Sequence, residues 1–102
     1  MAKVARGDEQ DDVTTNHLCD TTTKTKDCSD DVIVVNYGVV REDDVNKSHN
    51  VGDDPPCSAH TVAMSASMST SVKANYKFIA LEDSGYGGEI ITTVNQDKVY
   101  AT

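Results

Sequence analysis

The stretch Val32-Ile33-Val34-Val35-Asn36-Tyr37-Gly38-Val39-Val40-Arg41-Glu42-Asp43 joins a β-type segment to an acidic turn. A second such stretch runs from Val72 to Asp83, and Val4-Ala5-Arg6-Gly7-Asp8 matches the end of both. The closing Asp residues of the three copies are 35 and then 40 positions apart. A recurring unit of this length is typical of repeat architectures. The spacing therefore predicts one compact object with approximate threefold symmetry.

Size and composition predict a single domain over residues 1–102 with a thin core. The chain has 102 residues, 37% of them hydrophobic, with one Phe and no Trp. Domains of this size are ordinary, but a small domain short of apolar residues usually needs disulfides, a metal or oligomerisation. We therefore expect something other than apolar packing to hold the fold together.

Charge and hydropathy exclude several classes of function. The net charge of -8 and the pI near 4.5 argue against binding to a nucleic-acid backbone, which requires clustered Lys and Arg. No apolar run approaches the roughly 20 residues of a membrane span. The start, Met1-Ala2-Lys3-Val4, lacks the apolar region of a signal peptide, so we expect synthesis in the cytoplasm without classical secretion.

Short β-type segments with frequent turns predict an all-β chain. Thr, Val, Asp and Ser dominate, and these residues are poor in helix interiors. The segment Thr21–Asp27 is polar and is interpreted as a solvated loop or edge strand. β-branched and aromatic enrichment predicts strands at Asp31–Val40, Thr61–Met64, Ser71–Ala80, Gly88–Thr93 and Asp97–Ala101.

The histidines and cysteines lie in or beside the predicted loops and suggest a metal site. Imidazole and thiolate are the ligands that Zn²⁺ favours. Cys57 and His60 are three positions apart, just after Pro55-Pro56, and His17 precedes Cys19 by two. The spacing is not that of a zinc finger, and exposed histidines and small buried cysteines are the alternative. Because no secretory signal is present, metal binding is favoured over disulfides for these cysteines.

These features together resemble the PAAR-repeat spike-tip proteins of contractile tails, found in phages and type VI secretion systems. The resemblance rests on Val4–Asp8, Val34–Asp43 and Lys73–Asp83, and on Gly87-Gly88-Glu89-Ile90-Ile91 after the third copy. Tyr37 and Tyr76 are taken to stand where the family has Gly.

The resemblance implies a small conical, pseudo-threefold triangular β-structure built from about three PAAR-like repeats. It implies a structural role and no enzymatic activity. Cys19 competes with Cys57 for the thiolate place, and Cys28 is expected to be structural. By analogy with the family's three-His, one-Cys site, the implied ligands of Zn, or alternatively Fe, are His17, His49, Cys57 and His60.

The resemblance also implies partners and a location. The cone would cap a trimeric tail-spike protein, the VgrG-like central spike, and contact the host envelope transiently as the tail punctures it. We expect no fused effector, which favours the baseplate of a phage tail, and therefore the virion, over a secretion spike.

Two other functions stay open at this stage. The run Leu81–Gly88 is similar to the turn of βγ-crystallin motifs and would suit a small Ca²⁺-binding β-sandwich. A metal-dependent hydrolase would need an open coordination position and a general base. Acidic pairs, including Asp53-Asp54, match no EF-hand loop and are interpreted as solvated surface.

Overall fold

The computed structural model describes residues 1–52 and 55–102, and all of the regular structure within them is β. The predicted all-β class is confirmed, and the chain is compact, with extents of 40 × 23 × 21 Å. In the described residues no helix is long and apolar enough to cross a membrane. The strands are β1 Ala2–Lys3, β2 Asp12–Thr14, β3 Thr22–Lys24, β4 Ile33–Val34, β5 Tyr37–Gly38, β6 His49–Val51, β7 Ser58–His60, β8 Lys73–Ala74, β9 Lys77–Phe78, β10 Gly85–Tyr86, β11 Glu89–Thr93 and β12 Tyr100–Ala101.

The strands pair antiparallel in small sheets. The largest sheet has four strands in the order β10-β11-β2-β3, and the other pairs are β1-β12, β4-β5, β6-β7 and β8-β9. In the large sheet, Ile91 lies opposite Val13, and both side chains are fully buried. The register shifts between Ile91 and Thr93, as at a β-bulge. The polar strand β3 lies at the edge of this sheet, in agreement with the interpretation of Thr21–Asp27 as an edge strand. The segment is not fully solvated, however, because Thr23 and Thr25 are buried.

Three segments, residues 4–6, 39–41 and 79–81, bridge one another pairwise and close a ring. We call them the ring segments. Their central residues are Ala5, Val40 and Ala80, none of which is exposed. Small or β-branched side chains fit here because three backbones approach one another. The central amides donate around the ring, from Ala5 to Ala80 (3.0 Å), from Ala80 to Val40 (2.8 Å) and from Val40 to Ala5 (3.1 Å).

Each ring segment follows a two-stranded unit and precedes an acidic turn. The units are β4-β5, β8-β9 and the pair formed by β12 and β1. After the ring segments, Asp8, Asp43 and Asp83 have φ values of 54°, 72° and 76°, a left-handed conformation that Asp tolerates better than most residues. These turns hold the positions predicted from the 35- and 40-residue spacing. Threefold symmetry of the chain as a whole stays a prediction.

The apolar interior consists of two small clusters, which fits the thin core expected from the composition. One cluster contains Tyr86, Met64 and Ile91, and the other contains Val4, Val39 and Ile79. Because neither is large, long-range backbone hydrogen bonds and side-chain links carry much of the tertiary structure.

The long strands predicted at Asp31–Val40 and Ser71–Ala80 are wrong. Each is a hairpin, β4-β5 or β8-β9, with a two-residue turn at Val35-Asn36 or Asn75-Tyr76. All four turn residues have positive φ, as in type I′ turns. The strand predicted at Thr61–Met64 is also wrong, since only Ala63 forms an isolated bridge there. Strands β1, β2, β6, β7 and β10 were not predicted, and β12 is shorter than predicted. The acidic pair Asp53-Asp54 lies outside the described residues.

Candidate metal centre

Three separate parts of the chain bring three histidines and one glutamate together. His49 and His60 are directly opposite each other on β6 and β7. Glu89 begins β11, which pairs with β2, and His17 lies in the loop that follows β2. Antiparallel pairing therefore places two ligands side by side, while the four-stranded sheet brings the other two from distant parts of the sequence.

The four side chains converge on one point. Glu89 Oε2 lies 2.8 Å from Nε2 of His17, 2.9 Å from that of His49 and 3.0 Å from that of His60. The Nε2 atoms of His49 and His60 are 2.8 Å apart. One ligand atom from each of the four residues lies within 4.8 Å of all the others. The cluster could therefore hold a metal ion.

A hydrogen bond to the backbone determines the tautomer of His49. Its Nδ1 donates to the Lys47 carbonyl oxygen at 2.8 Å, so the neutral ring carries its lone pair on Nε2. That lone pair then faces a carboxylate oxygen and the His60 nitrogen. Atoms that only accept hydrogen bonds repel one another unless a cation lies between them. A proton can bridge one pair of these atoms, whereas a metal ion can bind all four.

Glu89 is a buried carboxylate with a complete set of partners. Its side chain is 2% exposed, and its second oxygen, Oε1, accepts a hydrogen bond from Asn46 Nδ2 at 2.8 Å. Burial raises the pKa of the Glu89 carboxyl, but the surrounding side chains of His49, Asn46, His60 and His17 outweigh burial, so the pKa lies below its ordinary value. The carboxylate is therefore charged at neutral pH and presents Oε2 to the histidines.

Access to the cluster is uneven. The side chains of His49 and Glu89 are 3% and 2% exposed, whereas those of His17 and His60 are 21% and 33% exposed. An ion could thus enter from the side of His17 and His60 and bind against the buried side chains of His49 and Glu89. Three imidazole nitrogens and one carboxylate oxygen are ligands that both Zn²⁺ and Fe²⁺ accept.

The structure brings together His17, His49 and His60, three of the four ligands implied by the resemblance, and it corrects the fourth. Cys57 forms a disulfide with Cys19, with the Cα atoms 6.2 Å apart. A sulfur atom in a disulfide is not a thiolate, so neither cysteine is a ligand in this form. The preference for metal ligation over disulfides at these cysteines is corrected with it.

Cys28 is the free cysteine, and its surroundings agree with a structural role. It is half-buried, and burial raises the pKa of its thiol, which keeps it protonated at neutral pH. A Cβ atom at Gly7 or Gly38 would lie 2.6 or 2.8 Å from its sulfur. The two glycines therefore leave room for this side chain.

Glu89 was not predicted as a ligand, although the sequence contains a signal for it. In Glu89-Ile90-Ile91, strand alternation places Glu89 on the same face as Ile91, and both are buried. A carboxylate on the apolar face of a strand requires a positive or hydrogen-bonding partner.

Comparison with protein-family models, with curated proteins and with solved structures gives no match.

Proposed function

We propose that this chain is a metal-stapled tip of a contractile-tail spike, similar to PAAR-repeat proteins, that caps a trimeric spike. The observation that carries the proposal is the ring of three segments at the repeat positions. A single chain that presents three similar units can sit on a threefold axis, because each unit can contact one subunit of the partner. Chain order supports this arrangement, since β1, β5 and β9 directly precede the three ring segments and at least one of the candidate metal ligands follows each of them.

The surface for the partner is formed by the three two-stranded units. Val32, Val72 and Val99 occupy the same place in each unit, since their carbonyl oxygens accept hydrogen bonds from Val39, Ile79 and Val4. These three valines, which we call the base surface, are 38%, 40% and 37% exposed. They surround an apolar hollow of about 200 Å³. Three equivalent apolar side chains suit a threefold-symmetric apolar end of a trimeric β-helical spike.

The metal would act as a staple. The apex of a cone has little interior, so apolar burial cannot hold its loops. An ion bound by His17, His49, His60 and Glu89 would tie three loop and hairpin regions together, and its binding free energy would add to folding. Zn²⁺ suits the ligand set best because it accepts four tetrahedral N and O ligands, and Fe²⁺ is the alternative.

The proposed role is mechanical rather than catalytic. A rigid tip in the phage baseplate would help the spike enter the host envelope. Ca²⁺ takes oxygen ligands, so the histidine-rich cluster gives no support to a calcium module of βγ-crystallin type. A zinc hydrolase keeps a position for water beside three protein ligands, whereas four protein ligands converge here.

The test is assembly with the trimeric spike protein encoded in the same genome. Native mass spectrometry of the mixture should give one copy of this 11.0 kDa chain per spike trimer. Val72→Asp should abolish the complex by placing a charge in the base surface. Ser65→Asp, at an exposed position outside that surface, is the matched control and should still assemble. Absence of a complex with the wild type, or a ratio of three chains per trimer, would refute the proposal.

A further inference from the structure

The Cys19–Cys57 disulfide joins two of the segments that carry the candidate metal ligands, namely those of the three histidines. Cys19 is two residues after His17, and Cys57 is three residues before His60. The bond, which spans 38 residues of sequence, connects the loop between β2 and β3 to the hairpin β6-β7. It therefore constrains the distance between His17 and the pair His49–His60.

Among residues 1–52 and 55–102, few other contacts hold the His17 loop against that hairpin. The Cys19 amide donates to the Gly52 carbonyl oxygen at 3.0 Å, and the Asn50 amide donates to an Asp20 carboxylate oxygen at 2.6 Å at the surface. Leu18, the large apolar residue of the loop, is 70% exposed and so contributes little packing. Without the disulfide, metal binding would have to order this loop and lose the corresponding conformational entropy.

We propose that the disulfide and the metal site are thermodynamically coupled, with Cys19 and Cys57 acting as positioning residues for the metal. The oxidised chain binds the ion more tightly than the reduced chain, and the bound ion protects the disulfide from reduction. This inference rests on the proposed metal centre. Metal binding would then depend on redox conditions, because loss of the disulfide leaves His17 less constrained relative to the other ligands.

The disulfide is open to chemical attack because Cys57 is exposed. A trialkylphosphine breaks the S–S bond by attack on one sulfur, and the second sulfur leaves as a thiolate. Hydrolysis then releases the first thiol and gives the phosphine oxide, whose oxygen comes from water. The two electrons that reduce the disulfide come from phosphorus, and both sulfurs are protonated by water.

Thermodynamic coupling acts equally in both directions. If the disulfide raises metal affinity by a given factor, the metal shifts the thiol–disulfide equilibrium by the same factor. Couplings between sites are typically about 5- to 150-fold. We expect a value in that range, since the disulfide orders one of four ligands and leaves the pair on β6 and β7 in place.

The first experiment measures Zn²⁺ affinity by competition with a chromophoric chelator. The double variant Cys19→Ser/Cys57→Ser should bind Zn²⁺ at least about fivefold more weakly than the oxidised wild type. Cys28→Ser, which changes the free cysteine, is the control and should bind like the wild type. Equal or tighter binding by the double variant would overturn the coupling.

The second experiment needs no variant. The wild type is reduced with a trialkylphosphine, the free thiols are counted by alkylation and mass spectrometry, and Zn²⁺ affinity is measured for the oxidised and the reduced chain. We expect the reduced chain to bind Zn²⁺ at least about fivefold more weakly, and equal or tighter binding would overturn the coupling. If the oxidised wild type binds no Zn²⁺ or Fe²⁺ at all, the metal centre itself is refuted. If it binds the ion equally well in both redox states, the coupling alone fails.

Discussion

Glu89 places a charge where an apolar side chain would ordinarily pack, on the buried face of β11 beside Ile91. Burial of an unpaired carboxylate is costly, and this one is compensated by three imidazoles and the amide of Asn46. Asn46 is itself 1% exposed, and its Oδ1 accepts a hydrogen bond from the Val62 amide at 2.9 Å. The hydrogen bond from Val62 therefore holds the Asn46 amide in place, and the amide can orient the Glu89 carboxylate.

Asn46→Ala should weaken metal binding. The change removes the hydrogen bond to Glu89 Oε1 and lets the carboxylate rotate away from the histidines. Loss of such an orienting partner typically lowers metal affinity about 10- to 100-fold. Competition titration with Zn²⁺ measures the effect. Asn50→Ala, on the exposed face of β6, is the matched control, and an equal loss in both variants would mean that Asn46 has no orienting role.

Tyr86→Phe should leave the protein as stable as the wild type or more stable. Tyr86 is fully buried, and its hydroxyl has no hydrogen-bond partner among residues 1–52 and 55–102. A buried polar group without a partner costs about 1–3 kcal/mol, and Phe removes the group while keeping the ring. Urea unfolding should show an equal or higher midpoint with an unchanged m-value. A lower midpoint would indicate that the hydroxyl is bound, for example to buried water.

At the scale of single residues, the sequence identified the histidines but not the whole site. His17, His49 and His60 were predictable because few other side chains bind transition metals. Cys57 was assigned wrongly because spacing along the chain does not show that Cys19, 38 residues away, lies within bonding distance. Glu89 was missed because its role depends on which neighbours the buried face of β11 meets.

At the scale of elements, the two hairpins that replaced the predicted strands owe their turns to tertiary contacts. Val35 has a φ of 45°, which is unfavourable for a β-branched residue. Its carbonyl oxygen accepts a hydrogen bond from Arg6 Nη1 at 2.6 Å, a contact made by a distant part of the chain. The two hairpins also correct the alignment of the repeats. Asn36 and Tyr76 are the second turn residues of their hairpins, so Tyr76 corresponds to Asn36 and not, as predicted, to Tyr37. Local propensity favoured an uninterrupted strand, whereas the contact with Arg6, which lies in a ring segment, stabilises a turn at Val35-Asn36.

Tyr76→Gly should stabilise the hairpin β8-β9. Tyr76 has a φ of 69° and is 97% exposed, so its ring contributes little packing while its Cβ is strained. Asn-Gly is the preferred pair for this turn, and the gain should be about 0.5–1 kcal/mol after the entropy cost of Gly. Urea midpoints measure it. Tyr76→Ala keeps the Cβ and should give no gain. An equal rise of the urea midpoint in both variants would mean that the stabilisation comes from loss of the exposed ring and not from relief of backbone strain.

At the scale of the whole molecule, the repeat spacing proved more informative than local patterns. The Asp positions 35 and 40 residues apart mark the turns after the ring segments, and the three Asp residues share a left-handed conformation, which Glu9 also adopts in the first turn. The low apolar content predicted a thin core, and the buried apolar side chains form two small clusters. Composition could not show where the disulfide and the histidine–glutamate cluster would form, because both depend on how the segments after the turns pack against one another.

Removal of the metal should destabilise the whole chain, because the four ligands come from segments spread between residues 17 and 89. An ion present at 100 times its Kd stabilises a fold by about 2.7 kcal/mol. Each kcal/mol shifts the Tm of a domain of this size by about 4–8 °C, so chelation should lower the Tm by roughly 10–20 °C. Differential scanning calorimetry without reductant, which keeps the disulfide intact, measures the shift. Zn²⁺ should restore the Tm and Ca²⁺ should not, whereas His17→Ala should be insensitive to chelation. A wild-type melting curve that chelation leaves unchanged would contradict the staple, since the fold would then draw no stability from its histidine cluster.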